Sequence, residues 1–155
     1  MKIKILIDID VIAVAKHYTK DNDYPIAKNF LSRVESGEFD LYSSHTLIAL
    51  LNQWKIGRIM NGILDFYSAY CYTIPAAEIE RKLTERKIIL ENLLAELGKK
   101  GVKKEDGILT VIASLFGLVL VTLNRKHLRN KRDEINEIFK KNGLSKIEIM
   151  LPNEI

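Results

Sequence analysis

Cysteine is almost absent from this sequence, since Cys71 is the only one. A single thiol excludes a disulfide within the chain and cannot form a zinc site by itself. Only three prolines and eight glycines occur among 155 residues, and no low-complexity linker or repeat is visible. The sequence therefore predicts one domain over residues 1–155, long enough to bury a full core.

Long hydrophobic runs are also missing. The longest apolar stretch, Ile108 to Val121, contains the polar residues Thr110 and Ser114 and is too short and too polar to span a membrane. Near the amino terminus, Asp8 and Asp10 interrupt the apolar residues too early for a signal peptide. We therefore expect a cytoplasmic protein that has no membrane partner.

Positive charge is concentrated in the last third of the chain. Residues 125–146 contain eight lysines and arginines but only three acids, so their local charge of +5 exceeds the net charge of +4 for the whole protein. A basic patch attracts partners rich in phosphate. The alternative interpretation is an ordinary solvated helix face.

The apolar residues that are present begin with a run over residues 4–7, directly before Asp8. Such an unbroken run predicts a parallel strand buried on both faces. Further strands are predicted at residues 39–42, 71–74, 118–122 and 147–150, with helices between them, the longest running from Pro75 to Leu97. This alternation predicts an α/β protein of three layers, with a parallel sheet of four to five strands flanked by helices.

Polar residues follow the first and the fourth predicted strands, and another acid lies at the start of the helix that leads into the fourth strand. Asp8 follows the first strand, Asn124 follows the fourth, and Asp106 precedes the apolar helix that leads into the fourth strand. In an open parallel sheet all three positions fall at the carboxyl edge, where ligands bind. Oxygen ligands without histidine or cysteine suit Mg²⁺ or Mn²⁺, and Asp10 is close enough in sequence to assist. Taken singly, Asp10 and Asp106 are also typical helix N-caps and Asn124 a typical turn residue.

The order of these motifs resembles the PIN domain family, including archaeal members and VapC-type toxins. Residues 6–12 (Leu-Ile-Asp-Ile-Asp-Val-Ile) resemble the opening strand of the family. Residues 105–113 resemble its later Asp-Ala helix, and residues 117–128, with Thr-Leu-Asn-Arg-Lys-His, resemble the block that follows. Residues 147–152 are similar to the closing strand and proline. The resemblance covers nearly the whole chain, and its specificity comes from the order of short motifs.

This resemblance implies a Mg²⁺- or Mn²⁺-dependent endoribonuclease that hydrolyses single-stranded RNA. It carries catalytic metal-ligand roles onto Asp8 and Asp106. Asn124 matches a position held by Asp or Asn, and Asp10 stands where Asn is usual, so both are expected to assist the ion.

The basic segment that follows Asn124 is expected to hold the phosphates of the RNA backbone. The candidate residues are Arg125, Lys126, His127 and Arg129.

The resemblance also predicts protein partners, because PIN-domain toxins commonly form dimers and are held inactive by a small antitoxin protein. A homodimer is therefore expected. Its candidate surface is the region from Leu47 to Tyr70, which contains more large apolar residues than one helix face needs: Trp54, Ile56, Ile59, Met60, Ile63, Phe66 and Tyr67.

One position departs from the family pattern. PIN nucleases usually carry a glutamate in the helix after the second strand, and here Ala49 stands at that position. The first alternative is therefore a catalytically inactive PIN-like fold that binds RNA or a protein.

A second alternative is a phosphatase of the haloacid dehalogenase type, with Asp8 as nucleophile and Asp10 as acid and base. The order of its remaining motifs does not match. A Rossmann cofactor domain is excluded because no Gly-x-Gly-x-x-Gly follows the first strand.

Overall fold

The computed structural model describes residues 1–44 and 57–155. Five strands form one sheet in which every pair is parallel: β1 (Ile3–Ile7), β2 (Phe39–Ser44), β3 (Cys71–Ile74), β4 (Val119–Val121) and β5 (Ile149–Met150). Their order across the sheet is β3-β2-β1-β4-β5. The predicted α/β class and parallel sheet are confirmed.

Helices connect the strands on both sides of this sheet. Those of the described residues are α1 (Ile9–His17), α2 (Tyr24–Glu35), α3 (Gly57–Tyr70), α4 (Ala76–Glu85), α5 (Leu90–Lys99), α6 (Lys104–Phe116), a 3₁₀ helix (Arg129–Lys131) and α7 (Arg132–Lys141). Helix α1 contacts α2 and α3, whereas α6 contacts α4 and α5. These two groups form the outer layers of a three-layer α/β/α arrangement.

Strand β1 lies at the centre of the sheet. Ile5, Leu6 and Ile7 are completely buried, as the unbroken apolar run predicts for a strand covered on both faces. Ile7 is in register with Val121 of β4, so the two central strands end at the same level. The residues that follow them are therefore brought together at one edge.

The long helix predicted from Pro75 to Leu97 is wrong, because α4 and α5 are separate. Lys87 has a positive φ of 56°, and the backbone N–H of Ile88 donates to the carbonyl of Leu83 at 2.9 Å. This hydrogen bond closes the end of α4 in the way that usually requires a glycine. No glycine or proline marks the break, so the apolar spacing alone predicted one continuous helix.

The predicted dimer surface is corrected where the structure describes it. Ile63, Phe66 and Tyr67 of α3 are at most 2% exposed and belong to the core. Their side chains are therefore not available to a partner. The remaining apolar positions of that surface lie among side chains outside those described.

Within residues 1–44 and 57–155, no helix has the length and apolar character needed to cross a membrane.

Candidate active site

Asp8 follows β1 directly and precedes the first residue of α1. Its backbone N–H donates to the carbonyl of Val121 at 2.9 Å, which extends the pairing of β1 with β4 by one residue. Its Oδ1 accepts from the backbone N–H of Ile9 at 2.8 Å. Asp8 rather than Asp10 is therefore the N-cap of α1, because Asp8 alone separates the end of β1 at Ile7 from the start of α1 at Ile9. The acid at the strand end has a structural role as well as a candidate chemical one.

Thr122 follows β4 and joins two of the acids. Its hydroxyl is completely buried, 2.9 Å from Asp8 Oδ2 and 3.3 Å from Asp10 Oδ2, and it accepts from the backbone N–H of Asn124 at 3.0 Å. The sequence analysis placed Thr122 in the Thr-Leu-Asn motif but gave it no role in the site. The sequence feature that could have indicated a site role is a hydroxyl residue directly after a buried apolar strand and two positions before Asn124.

Asp10 lies in the first turn of α1, where acids are favoured by the helix dipole. Its carboxylate also accepts from the backbone N–H of Leu123, at 3.2 Å for Oδ2 and 3.3 Å for Oδ1. Asp10 is thus held against the loop after β4. It lies beside Asp8 at the carboxyl edge of the sheet.

Asp106 lies in the first turn of α6 and is half-buried. It is not the N-cap of that helix, because α6 begins at Lys104 and Lys103 occupies the cap position. The next residue is Gly107, where an added Cβ would come within 2.9 Å of Leu94 Cδ2. Glycine therefore lets the first turn of α6 lie close against α5.

Asn124 connects Asp106 to the loop after β4. Its Nδ2 donates to Asp106 Oδ2 at 3.3 Å, and its Oδ1 accepts from the backbone N–H of His127 at 3.0 Å. A backbone N–H can only donate, so this contact fixes which end of the amide faces Asp106. The predicted meeting of Asn124 and Asp106 at one edge is observed, and the turn role of Asn124 is present as well.

The three carboxylates repel one another. Burial and the neighbouring charges of Asp10 and Asp106 raise the pKa of Asp8 well above its usual range. Burial also raises the pKa of Asp10, to about 6. The pKa of Asp106 is raised by burial, and the positive charges of His127 and Lys103 oppose that change. Such a group of destabilised carboxylates is typical of functional sites.

The donor set suits a hard divalent cation. It consists of carboxylate and amide oxygens, and a positive ion would offset the repulsion among Asp8, Asp10 and Asp106. Within residues 1–44 and 57–155, no group of three His, Cys, Asp or Glu side chains is arranged to enclose a metal. Mg²⁺ commonly needs only one or two protein carboxylates, since it keeps several waters. The chemistry of these residues is therefore compatible with such an ion when fewer than three of the side chains bind it directly.

Two of the four predicted phosphate-binding residues are ion-paired. Arg125 makes a two-pronged pair with Asp23, at 2.8 and 2.9 Å. Arg129 does the same with Glu154, at 3.0 and 2.6 Å.

The other two predicted phosphate-binding residues differ from these arginines. Lys126 is exposed, and His127 is partly buried close to Asp106. The unshared positive charge of the segment is therefore smaller than its composition suggests.

Tyr67 was predicted to lie on the dimer surface, but it is buried next to the site. Its hydroxyl donates to the carbonyl of Ile7 at 3.1 Å, one residue before Asp8. Burial and the charge of Asp8 raise the pKa of Tyr67 well above its usual range. The neutral phenol thus anchors the end of β1.

Ala49, which stands at the glutamate position of the family pattern, lies outside the described residues.

Comparison with known proteins identifies the fold. No protein-family model matches the sequence, and no curated protein matches it by sequence similarity. Among solved structures, the chain is similar to one in the crystal structure of VapBC2 from Rickettsia felis bound to a DNA fragment from their promoter. The TM-score is 0.57 at 16% sequence identity, over 96% of this chain and 98% of the other. The likeness is one of fold across nearly the whole length of both chains.

Proposed function

We propose that this protein is a divalent-metal-dependent endoribonuclease of PIN type that cleaves single-stranded RNA. The observation that carries the proposal is the convergence of Asp8, Asp10 and Asp106 at the carboxyl edge of the sheet, where burial raises the pKa of each and the charges of Asp10 and Asp106 raise that of Asp8 further. Burial of several carboxylates together is costly unless a positive partner offsets them. The PIN-like sequence motifs and the fold shared with the VapBC2 chain support the same conclusion.

In this proposal, Asp8 and Asp106 hold a Mg²⁺ or Mn²⁺ ion, with Asp10 and Asn124 assisting. A bound ion of this kind neutralises charge on the phosphodiester and lowers the pKa of a water molecule. Thr122 orients Asp8 and Asp10 through its hydroxyl, and Asn124 orients Asp106 through its amide. The chain thereby supplies acids whose positions are fixed before the ion arrives, which avoids reorganisation during the reaction.

Phosphate contacts beside the acids complete the proposed substrate site. Lys126 is exposed and has no salt bridge with the described residues, and His127 lies close to Asp106, so these two side chains are the proposed phosphate contacts next to Asn124. Arg125 and Arg129 contribute less, because each already faces a carboxylate.

The ion-binding step is tested by thermal melting during a Mn²⁺ titration. Specific binding to the folded state raises stability, by about 2.7 kcal/mol when the ion is at 100 times its Kd. We expect the melting temperature of the parent to rise with Mn²⁺ and that of Asp8→Asn not to respond. Asp40→Asn is the matched control, since Asp40 is an exposed acid near the start of β2. An Asp8→Asn variant that responds like the parent would place the ion elsewhere.

A binding module without catalysis is the second candidate. It is favoured by Ala49 at the glutamate position and by the open arrangement of the described acids. It predicts RNA binding with no cleavage in Mn²⁺, whereas the endoribonuclease predicts both.

An antitoxin-like protein partner and a homodimer also belong to the proposal. Their support is the resemblance to VapC-type toxins and the fold shared with a chain of VapBC2. Light scattering tests the dimer, and a monomer throughout the micromolar range would contradict it.

A further inference from the structure

The loop between α5 and α6 carries the densest positive charge that is not ion-paired in the described structure. Lys99, Lys100, Lys103 and Lys104 fall within six residues that contain no acid. All four side chains are exposed. None of them takes part in a salt bridge with the described residues, in contrast to Arg125, Arg129 and Arg132. Their charge is therefore available to a partner.

This loop lies beside the acidic site. Lys103 caps α6 and Lys104 begins it, and Asp106 follows two residues later in the same first turn. The positive charge of Lys103 acts on Asp106 directly, since it opposes the rise in the pKa of that carboxyl. Lys103 and Lys104 therefore adjoin the Asp106 side of the site, and Lys99 and Lys100 continue the charge along the chain away from it.

A fifth lysine extends the patch toward the loop after β4. An added Cβ on Gly101 would lie 3.8 Å from Lys131 Cε and 3.9 Å from its Nζ. Lys131 has only a long pair with Glu134, at 3.8 Å. Gly101 has a φ of 87°, and this left-handed turn brings the loop against the 3₁₀ helix. We call this surface, formed by Lys99, Lys100, Lys103, Lys104 and Lys131, the lysine loop.

We propose that the lysine loop is the main phosphate-contact surface for single-stranded RNA and guides the RNA backbone to Asp106. This inference rests on the proposed function for its substrate. A cluster of carboxylates repels a polyanion, so RNA needs an unshared positive surface next to the acids. The arginines after Asn124 supply little of it because Asp23 and Glu154 face them. Single-stranded RNA carries a phosphate at every nucleotide, and exposed, flexible ammonium groups can contact several of them.

The test measures binding of a short fluorescein-labelled single-stranded RNA to the full chain by anisotropy. EDTA is present, so that neither cleavage nor ion binding affects the result. We expect Lys103→Gln/Lys104→Gln and Lys99→Gln/Lys100→Gln each to weaken binding by about tenfold at low salt. For each pair the slope of log affinity against log salt should fall by about 1 to 1.5, since each lost phosphate contact on a single strand is worth about 0.7.

The matched control is Lys2→Gln/Lys4→Gln, which removes the same charge from exposed lysines at the amino end of β1. Circular dichroism confirms that each variant is folded. Equal losses in the control and in the lysine-loop variants would overturn the inference, because net charge alone would then explain the effect. The inference would also be overturned if the parent did not bind the RNA. It would be overturned as well if an acidic peptide displaced the labelled RNA as effectively as unlabelled RNA does.

The inference and the proposed function can fail separately. If RNA binding depends on the lysine loop but the parent shows no cleavage in Mn²⁺, the inference about the lysine loop is supported and the proposed endoribonuclease activity is contradicted. If the lysine-loop variants cleave and bind RNA as well as the parent does, the proposed endoribonuclease activity is supported and the inference about the lysine loop is contradicted.

Discussion

Thr122 Oγ1 lies 2.9 Å from Asp8 Oδ2, and this contact joins the residue after β4 to the residue after β1. The same hydroxyl lies 3.3 Å from Asp10 Oδ2. It has a single hydrogen, so it can donate fully to only one of these carboxylates at a time. Both acids therefore share this buried side chain as a partner, in addition to the backbone N–H groups of Ile9 and Leu123 that each also accepts from separately.

Replacing Thr122 by valine should destabilise the fold and disorganise the site. Valine keeps the volume but leaves buried polar groups of Asp8 and the Asn124 N–H without their partner, which costs about 1–3 kcal/mol for each unsatisfied group. Urea unfolding measures the loss. Thr122→Ser is the matched control, because it retains the hydroxyl and should stay within about 1 kcal/mol of the parent. Equal losses in the two variants would show that the methyl group matters rather than the hydrogen bonds.

The metal-free protein should become less stable as pH rises from 5 to 8. Burial raises the pKa of Asp10 to about 6 in the folded state, above its unfolded value, so the folded state binds more protons in this range. Protonated Asp10 therefore contributes about 1–3 kcal/mol to the free energy of unfolding. This contribution is fully present below about pH 4 and is lost as pH rises through about 6.

Urea unfolding in EDTA at the two pH values tests this dependence. Asp10→Asn should reduce the difference between pH 5 and pH 8, whereas Asp40→Asn should retain it. A parent with equal stability at both values would contradict the raised pKa of the buried Asp10.

Asp8→Asn should stabilise the metal-free protein at pH 8. Burial and the charges of Asp10 and Asp106 make the ionised form of Asp8 unfavourable, and asparagine removes that charge while its Oδ1 still accepts from Ile9. We expect a higher urea midpoint in EDTA than that of the parent, because folding no longer places this charge in the buried site. A loss of stability in EDTA would show that the capping role of the carboxylate outweighs the repulsion.

Much of this site was predictable because it follows from local sequence. The run of apolar residues before Asp8 predicts a central strand, and the carboxyl ends of parallel strands must share an edge. The same logic brings Asn124 and Asp106 together, as the structure confirms. The buried hydroxyl of Thr122 was missed because a threonine in a strand is ordinary on propensity alone.

Contacts between distant parts of the chain were not predictable. Arg125 pairs with Asp23, and the two residues are 102 positions apart. Nothing in the composition of the basic segment indicates that its arginines face carboxylates from other elements. The charge count therefore predicted a phosphate-binding segment, and only the tertiary structure shows how much of that charge is shared.

The pair of Arg129 and Glu154 should contribute little to stability and only above acidic pH. The Arg129 guanidinium lowers the pKa of Glu154 to about 2, so the contribution is complete above about pH 4.5 and is lost as pH falls toward 2. Both side chains are about a third exposed, which limits the coupling to about 1 kcal/mol or less. A double-mutant cycle of Arg129→Gln and Glu154→Gln measures it at pH 7. A coupling above about 2 kcal/mol would indicate a stronger role in holding the carboxyl-terminal residues.

Cleavage of labelled single-stranded RNA in Mn²⁺ tests the central claim most directly. We expect weak cleavage by the parent, none in EDTA and none by Asp106→Asn. Glu105→Gln is the matched control, since it removes an exposed carboxylate from the adjacent position and should cleave like the parent. Ala49→Glu, which restores the glutamate of the family pattern, should cleave faster. Absence of cleavage by both the parent and Ala49→Glu in Mn²⁺, or cleavage that Asp106→Asn leaves unchanged, would contradict the account.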